Sequence, residues 1–529
     1  MLLNMLVPFC RGQSVYGSTC SAEKCVCNPV INVGSHNSDS GEMKDMQTVL
    51  LSQQAQIALL QEQLTQLINE TGSSLDDSQL VVQQNDSIAR LDKRLAELER
   101  NDPGSNFVRD NRGTEFILSF TENFQRQQQK PKLFITGARD IQTDVTVAVP
   151  SVNFIKHVRA TFGQVTTVDL PREGVEMRGS RRGDTAVRVT AEDDIVVHGV
   201  FAEEYSSDGY LALPTDVLGT QYFVASSTVH STWVAEGFEG LPSEFGVVGV
   251  HDGTVVNIAP TKNVTFDGQS YKAGHTFSVT LNRMESLQVQ TVSDLTGTQI
   301  ISSQPVAVLS GNLFTVVGNN QDGSGDHLVE MVPPVDAWGQ EFAMVPLKTR
   351  KGGDLFRVMA ATYDTQITIT GESTRTLRAG EYWEYELPSD QYKHLTADKP
   401  VLLVQYSKTQ KADSVNSDPF MMVIPPVDQL AGDYTFATVN MTNVSLSTHH
   451  VNVIVRTSEI DGLRLDDDVL SPSVGWSAVP GTTLSAAQVD VAAGTHTVKH
   501  VSPGVAFGLV VYGFSHMESY GYPAGFRIQ

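Results

Sequence analysis

The sequence predicts a mainly β protein of tandem antiparallel β-sandwich-like repeats, about four units, preceded by an α-helical coiled coil; a propeller-like ring is the alternative arrangement of the same strands. Three observations carry that prediction. One phrase is written three times: Pro214-Thr-Asp216-Val-Leu218-Gly219-Thr-Gln-Tyr222, Pro334-Val-Asp336-Ala-Trp338-Gly339-Gln-Glu-Phe342 and Pro426-Val-Asp428-Gln-Leu430-Ala431-Gly-Asp-Tyr434. Short runs of alternating apolar and polar residues fill the chain after Arg100, without long helical periodicity. Ahead of them, residues 43–100 carry an apolar heptad stripe.

Residues 1–42 form a cysteine-containing head. All four cysteines, Cys10, Cys20, Cys25 and Cys27, lie here, and the remaining five hundred residues have none. Cys25-Val-Cys27 lacks the two-residue gap of a zinc knuckle and the nearest histidine is His36, so the four are disulfide candidates rather than zinc ligands. The run Leu2–Phe9 resembles a partial signal peptide, without a basic start.

Residues 43–100 read as the stalk. Met43, Leu50, Ile57 and Leu64 take heptad position a, with Met46, Gln53, Leu60 and Leu67 at d. Gly72-Ser-Ser74 breaks the stripe, and a second register resumes with Val81, Ile88 and Leu95. Such a stripe cannot bury itself alone, so it predicts a homo-oligomer, dimer or trimer. Residues 101–112 form a linker, opened by Asn101-Asp-Pro103-Gly, which ends a helix.

Residues 113–529 form the β-repeat domain. Thr143–Val149, Ala186–Thr190 and Thr365–Thr370 alternate, as half-buried strands do. Pro-led apolar strands, Ser303-Gln-Pro305-Val-Ala-Val-Leu309 and Asp398-Lys-Pro400-Val-Leu-Leu-Val404, precede two of the repeated phrases, and Gly504–Tyr512 supplies another near the end. Within the phrase, Pro fixes φ, Asp caps backbone donors, and the Leu or Trp and the closing aromatic anchor the turn in a core. A scaffold element repeats; a site is usually single.

Composition sets partners aside. Lys plus Arg number 37 against 60 Asp plus Glu, a formal charge of −23, and such a chain repels nucleic acid. No apolar run reaches the roughly 20 residues of a membrane span. There is no Gly-x-Ser-x-Gly elbow, no His-Glu-x-x-His pair, no phosphate loop and no cysteine beyond the head to act as nucleophile. Neighbours on a strand point to opposite faces, so His449-His450 supplies at most one metal ligand. The oxygen-rich Asn319–His327 stretch misses EF-hand spacing. No catalytic residue, cofactor or metal is assigned.

Two short motifs remain. Arg182-Gly183-Asp184 matches the integrin-recognition triplet, in a polar, glycine-containing break that could present it. Asn69, Asn85, Asn263, Asn440 and Asn443 head N-glycosylation sequons, consistent with secretion.

Residues from about 113 to 528 resemble the IgGFc-binding N-terminal domain family. The carrying stretches are Leu133-Phe-Ile-Thr-Gly137, Thr143–Val149, Leu213–Tyr222, Asp294-Leu-Thr-Gly-Thr298, Pro305–Gly311, Asp326-His-Leu-Val-Glu330 and Gly475–Gly481. The resemblance implies an extracellular module; binding of IgG Fc does not follow from it alone. The function read from the chain is a secreted, non-enzymatic, multimeric adhesion or scaffold protein of extracellular matrix, mucus or cell-surface coat. Extracellular glycoproteins or mucins are its expected partners, with a carbohydrate-binding lectin-like receptor and a cryptic hydrolase as alternatives.

Overall fold

The computed structural model describes residues 110–124, 131–203, 206–229, 241–318, 325–441, 444–470 and 474–528, all within one compact unit, Phe107–Gln529. Residues 43–100, where the coiled coil is expected, and the four cysteines lie outside the described residues. Among the described residues the regular structure is strand, interrupted only by short 3-10 turns such as Val335–Ala337 and Val427–Gln429. Alternation acts as the sequence implies: Thr143–Val149 buries Thr143, Val145, Val147 and Val149 and leaves Asp144 exposed, and Thr365–Ile369 does the same.

One plan is built four times. In the first unit, the opening strand Gly113–Leu118 and the strand Thr143–Val149 pair with the front half of a 17-residue strand, Val187–Glu203. Lys132–Gly137 and the last strand, Ser206–Leu211, pair with its rear half. The third unit repeats this around Lys393–Tyr406, with Gly339–Met344 and Thr365–Ile369 in front and Asp354–Ala360 and Met421–Val423 behind. In the second and fourth units the long strand is cut, into Gln299–Ser302 and Val306–Thr315, and into Thr495–His500 and Gly508–Ser515, yet the partners correspond. Proline marks the switch. Pro305 follows one cut, and Pro400 falls between the front and rear pairings of its strand, where an amide can be spared.

These pairings correct the fold class expected from the sequence. A 17-residue strand, at about 3.3 Å per residue, is too long for one layer. It bends and serves both, so the first and third units are single barrel-like sheets of seven strands rather than two facing sheets of a sandwich. The coiled coil forms no part of the described structure. Nor are the units beads on a string. The last strands, Ser206–Leu211, Asp326–Met331, Met421–Val423 and Glu518–Pro523, are buried throughout and close a circuit, the first and third each packed against the second and fourth. The two ends of the domain meet: the Asn111 amide donates to the Phe526 carbonyl at 3.1 Å, and the Phe526 amide to Asn111 Oδ1 at 2.8 Å.

The repeated phrase follows each of the first three last strands. Leu218, Trp338 and Leu430, and the aromatics Tyr222, Phe342 and Tyr434, are all buried. Its small residue has a steric cause. A Cβ on Gly219 would lie 2.6 Å from the Pro334 ring and one on Gly339 2.3 Å from the Pro426 ring, so each turn's glycine seats the next turn's proline. The fourth exit, Pro523-Ala-Gly-Phe-Arg527, has no such phrase, which relaxes the demand at Ala431. Tyr222 and Tyr434 add a tie, each accepting an amide from the small residue and donating to a carbonyl at the start of its unit's rear strand, that of Val306 or of Phe507 just ahead of it.

Candidate functional site

Each last strand pairs one edge with its own unit and turns the other toward the shared axis. Unpaired amides there need acceptors. Carboxylates supply them. Asp208 Oδ1 accepts from the amides of Gly209 (2.8 Å) and Gly521 (3.3 Å), and its Oδ2 from Val329 (3.1 Å) and Met421 (3.3 Å). These four amides occupy one equivalent position in the four last strands. Two residues earlier, Asp326 accepts from Ser207 (2.8 Å), His327 (2.7 Å) and Ser519 (3.4 Å); the fourth equivalent residue is Pro419, which has no amide to offer. Two residues later, Glu330 accepts from Val423 at 2.9 Å.

The same equivalence aligns Ser206, Asp326, Asp418 and Glu518 at the head of the four strands. Asp208, Asp326, Glu330, Asp418 and Glu518 are each at most 1% exposed. Burial pushes the carboxyls of Asp208, Asp326, Glu330 and Asp418 well above the usual range; repulsion from Asp418, Asp208 and Glu518 adds to Asp326, and repulsion from Asp208 adds to Glu330. Neither oxygen of Asp418 has a hydrogen-bond partner, and the nearby Arg350 is its compensating charge. His198 and His327 lie buried in the first and second units, and burial lowers both to about 4, so they are neutral imidazoles.

A second cluster joins the second and third units. Arg357, 3% exposed, donates to Asp294 Oδ2 (2.8 Å), Thr296 Oγ1 (2.8 Å), the Ser226 carbonyl (2.7 Å) and Glu384 Oε2 (3.0 Å). Its guanidinium lies 4.5 Å from the Tyr382 ring centroid and 5.6 Å from that of Tyr406. The Asp294-Leu-Thr-Gly-Thr298 stretch therefore works as a joint. Two small cavities mark other seams: one of about 20 Å³ touching Arg112, Gly137 and Asp433, and one of about 10 Å³ touching Val345, Gln405 and Asn452.

The sequence candidates are scattered. Arg181–Gly183 is a short edge strand paired to Ser286–Gln288, so the exposed Arg182 and Gly183 lie on a strand, with the exposed Asp184 just after its end. Arg182 already engages Asp267, with 3.9 Å between charged atoms. Asn263 and Asn440 are exposed; Asn69, Asn85 and Asn443 lie outside the described residues, as do Cys10, Cys20, Cys25 and Cys27. His449 and His450 part as adjacent strand residues should, His449 Nδ1 to the Tyr520 hydroxyl (3.0 Å) and His450 Nδ1 to Asp490 (2.8 Å). Among the described residues no set of three or more His, Cys, Asp or Glu is placed to hold a metal.

The sequence marks few of the axial residues as special. Asp326 and Glu330 fall in one of the stretches that carry the family resemblance, whereas Asp208, Asp418 and Glu518 belong to none. A signal is present: counting eight residues back from Pro334 and Pro426 reaches Asp326 and Asp418, acids at the same distance ahead of the repeated phrase.

Four copies of one strand plan, closed on a shared axis whose amides are capped by buried acids, define an all-β repeat domain. Residues 208–513, more than half of the chain, match the family described as IgGFc binding protein. The chain is 28% identical over 415 residues to the human IgGFc-binding protein, a match covering 77% of this chain and 7% of that protein. The chain belongs to the IgGFc-binding protein family, and it spans a small fraction of its human relative's length.

Proposed function

We propose that this chain is a secreted, non-enzymatic adhesion and scaffold protein of an extracellular coat, whose β-domain binds through several equivalent surfaces at once. One observation carries the reading. Each unit places an equivalent strand at the outer edge of its sheet: Phe154–Ala160, Phe277–Leu281, Arg375–Leu377 and Asp468–Val469. Their burial patterns leave exposed side chains on every one. Such edges favour many weak contacts over one deep pocket, and linked weak contacts gain avidity of about 10²–10⁴. The four cysteines and the heptad stripe of residues 43–100 are the sequence features that would join copies, multiplying the effect. Membership of the IgGFc-binding protein family, which is not a known enzyme family, supports the extracellular, non-catalytic part. An integrin reading Arg182-Gly183-Asp184 would first have to displace Asp267.

The test is surface binding of the full chain to immobilised secreted glycoproteins, and separately to IgG Fc, before and after mild reduction. Slow dissociation that becomes fast on reduction, with secondary structure unchanged, is the expected result. Dissociation unaffected by reduction, or turnover of a glycan or peptide at enzyme-like rates, overturns the reading.

A further inference from the structure

The head of the axis is arranged unlike the layers around Asp208 and Glu330. There, each carboxylate oxygen that faces a strand edge finds an amide. At the head, Asp326, Asp418 and Glu518 come from three different units, the equivalent residue of the first unit is Ser206, and Pro419 has removed one of the amides that would have answered the charge. Asp418 is 1% exposed and both its oxygens lack a partner. An ionised carboxylate stranded in this way is costly, whereas a neutral acid is tolerated and can donate a hydrogen bond.

We propose that Asp326 and Asp418, facing Glu518, form a proton-controlled latch on the closure of the four units: holding protons, the two aspartates let the last strands of the second, third and fourth units meet, and losing them places like charges at the axis and loosens it. The facing groups are Asp208 and Glu330 along the axis, His327 beside Asp326, and Arg350 opposite Asp418; Arg350 is itself engaged by Asp413 at 2.9 Å, so it only partly offsets the cluster. Burial first, then mutual repulsion, raises Asp326 and Asp418. Groups raised in the folded state contribute stability that is present below their unfolded values and is lost as pH rises through the folded ones. The buried histidines His198, His327 and His449 work the other way: lowered to about 4, they cost stability as pH falls through about 6.5. Between about pH 6.5 and 8.5 they are neutral in the folded chain, and in the unfolded chain they lose their remaining charge by about pH 7.5, a contribution that parent and variant share; above about 7.5 the acids are isolated. Asp354, raised by burial to about 7, also titrates in that window, and it cancels when a variant is compared with the parent chain.

The experiment is thermal melting of the full chain from pH 6.5 to 8.5, for the natural sequence and for Asp418→Asn, with Glu518→Gln as the second variant should the first fail to fold. Each proton released should lower the melting temperature by about 1–2 °C per pH unit. The natural chain should therefore melt lower at pH 8.5 than at 7.5, and Asp418→Asn should flatten that slope. Hydrogen exchange on the natural chain, corrected for intrinsic rates, should show the amides of 206–211, 326–331, 421–423 and 518–523 less protected at the higher pH. Parallel slopes in parent and variant, or unchanged protection of those amides, overturn the latch. So does a melting temperature at pH 8.5 that rises with millimolar calcium and falls with chelator in the natural chain but not in Asp418→Asn, since the cluster would then hold a cation instead of protons.

Discussion

Arg357→Met tests whether the seam between the second and third units is held by charge or by packing. Removing the guanidinium deletes its bonds to Asp294, Thr296 and the Ser226 carbonyl, along with the stacking on Tyr382, while methionine keeps much of the stem's volume. Breaking a buried ion pair from one side costs about 3–5 kcal/mol. The lower end applies here. Asp294 retains the Thr296 amide at 2.9 Å and the Thr296 hydroxyl, and its side chain is 12% exposed; Glu384, 45% exposed, adds little because water screens it. About 3 kcal/mol is therefore expected, read by guanidinium unfolding at pH 7. Asp294→Asn should cost less, and the double variant should cost clearly less than the sum, because the two side chains share one interaction. The loss should also fade in acid. Burial works to raise Asp294, but Arg357 and the Thr296 bonds outweigh it and hold it below the usual range. A lowered carboxyl contributes stability present above its unfolded value and lost as pH falls through its folded one, so the difference between parent and Arg357→Met shrinks below about pH 4. A cost under about 1 kcal/mol at pH 7, or strictly additive single losses, refutes a charge-held seam.

Two further outcomes follow from the repeated phrase. Trp338→Ala should cost about 3–5 kcal/mol in denaturant unfolding, because the ring packs on Phe223 across the seam, 6.0 Å between centroids, and its indole nitrogen donates to the Pro333 carbonyl at 3.0 Å; unchanged melting with loss of a binding partner would make the turn a site. Gly339→Ala should destabilise by about 1–3 kcal/mol through crowding of the Pro426 ring, whereas Ala431→Gly should shift melting little.

How far the sequence could be read depended on range. The alternation in Thr143–Val149 and the anchoring by Leu218, Trp338 and Leu430 are local, set by the period of a strand and by side-chain size, and they are visible in a window of ten residues. Sheet closure is not local. Nothing in the string Val187–Glu203 marks where one strand passes from one layer to the other, and two of the four equivalents are cut there, so the sandwich expectation gave way to barrel-like sheets. Pro305 and Pro400 look like strand starts in the sequence, and in the fold they mark the switch.

The axis was hidden for a further reason. Charge in a strand is read as solvent-facing, since Asp and Glu are rarely buried without a partner. Asp208 violates that rule only because three other units bring an amide to it, Val329 from the second, Met421 from the third and Gly521 from the fourth. No single unit contains the reason for its own acid. The repeat was legible from one phrase written three times, but what it closes upon requires all four copies together, and that is also why altering one axial carboxyl should be felt in strands more than three hundred residues apart, Gly209 and Gly521 included.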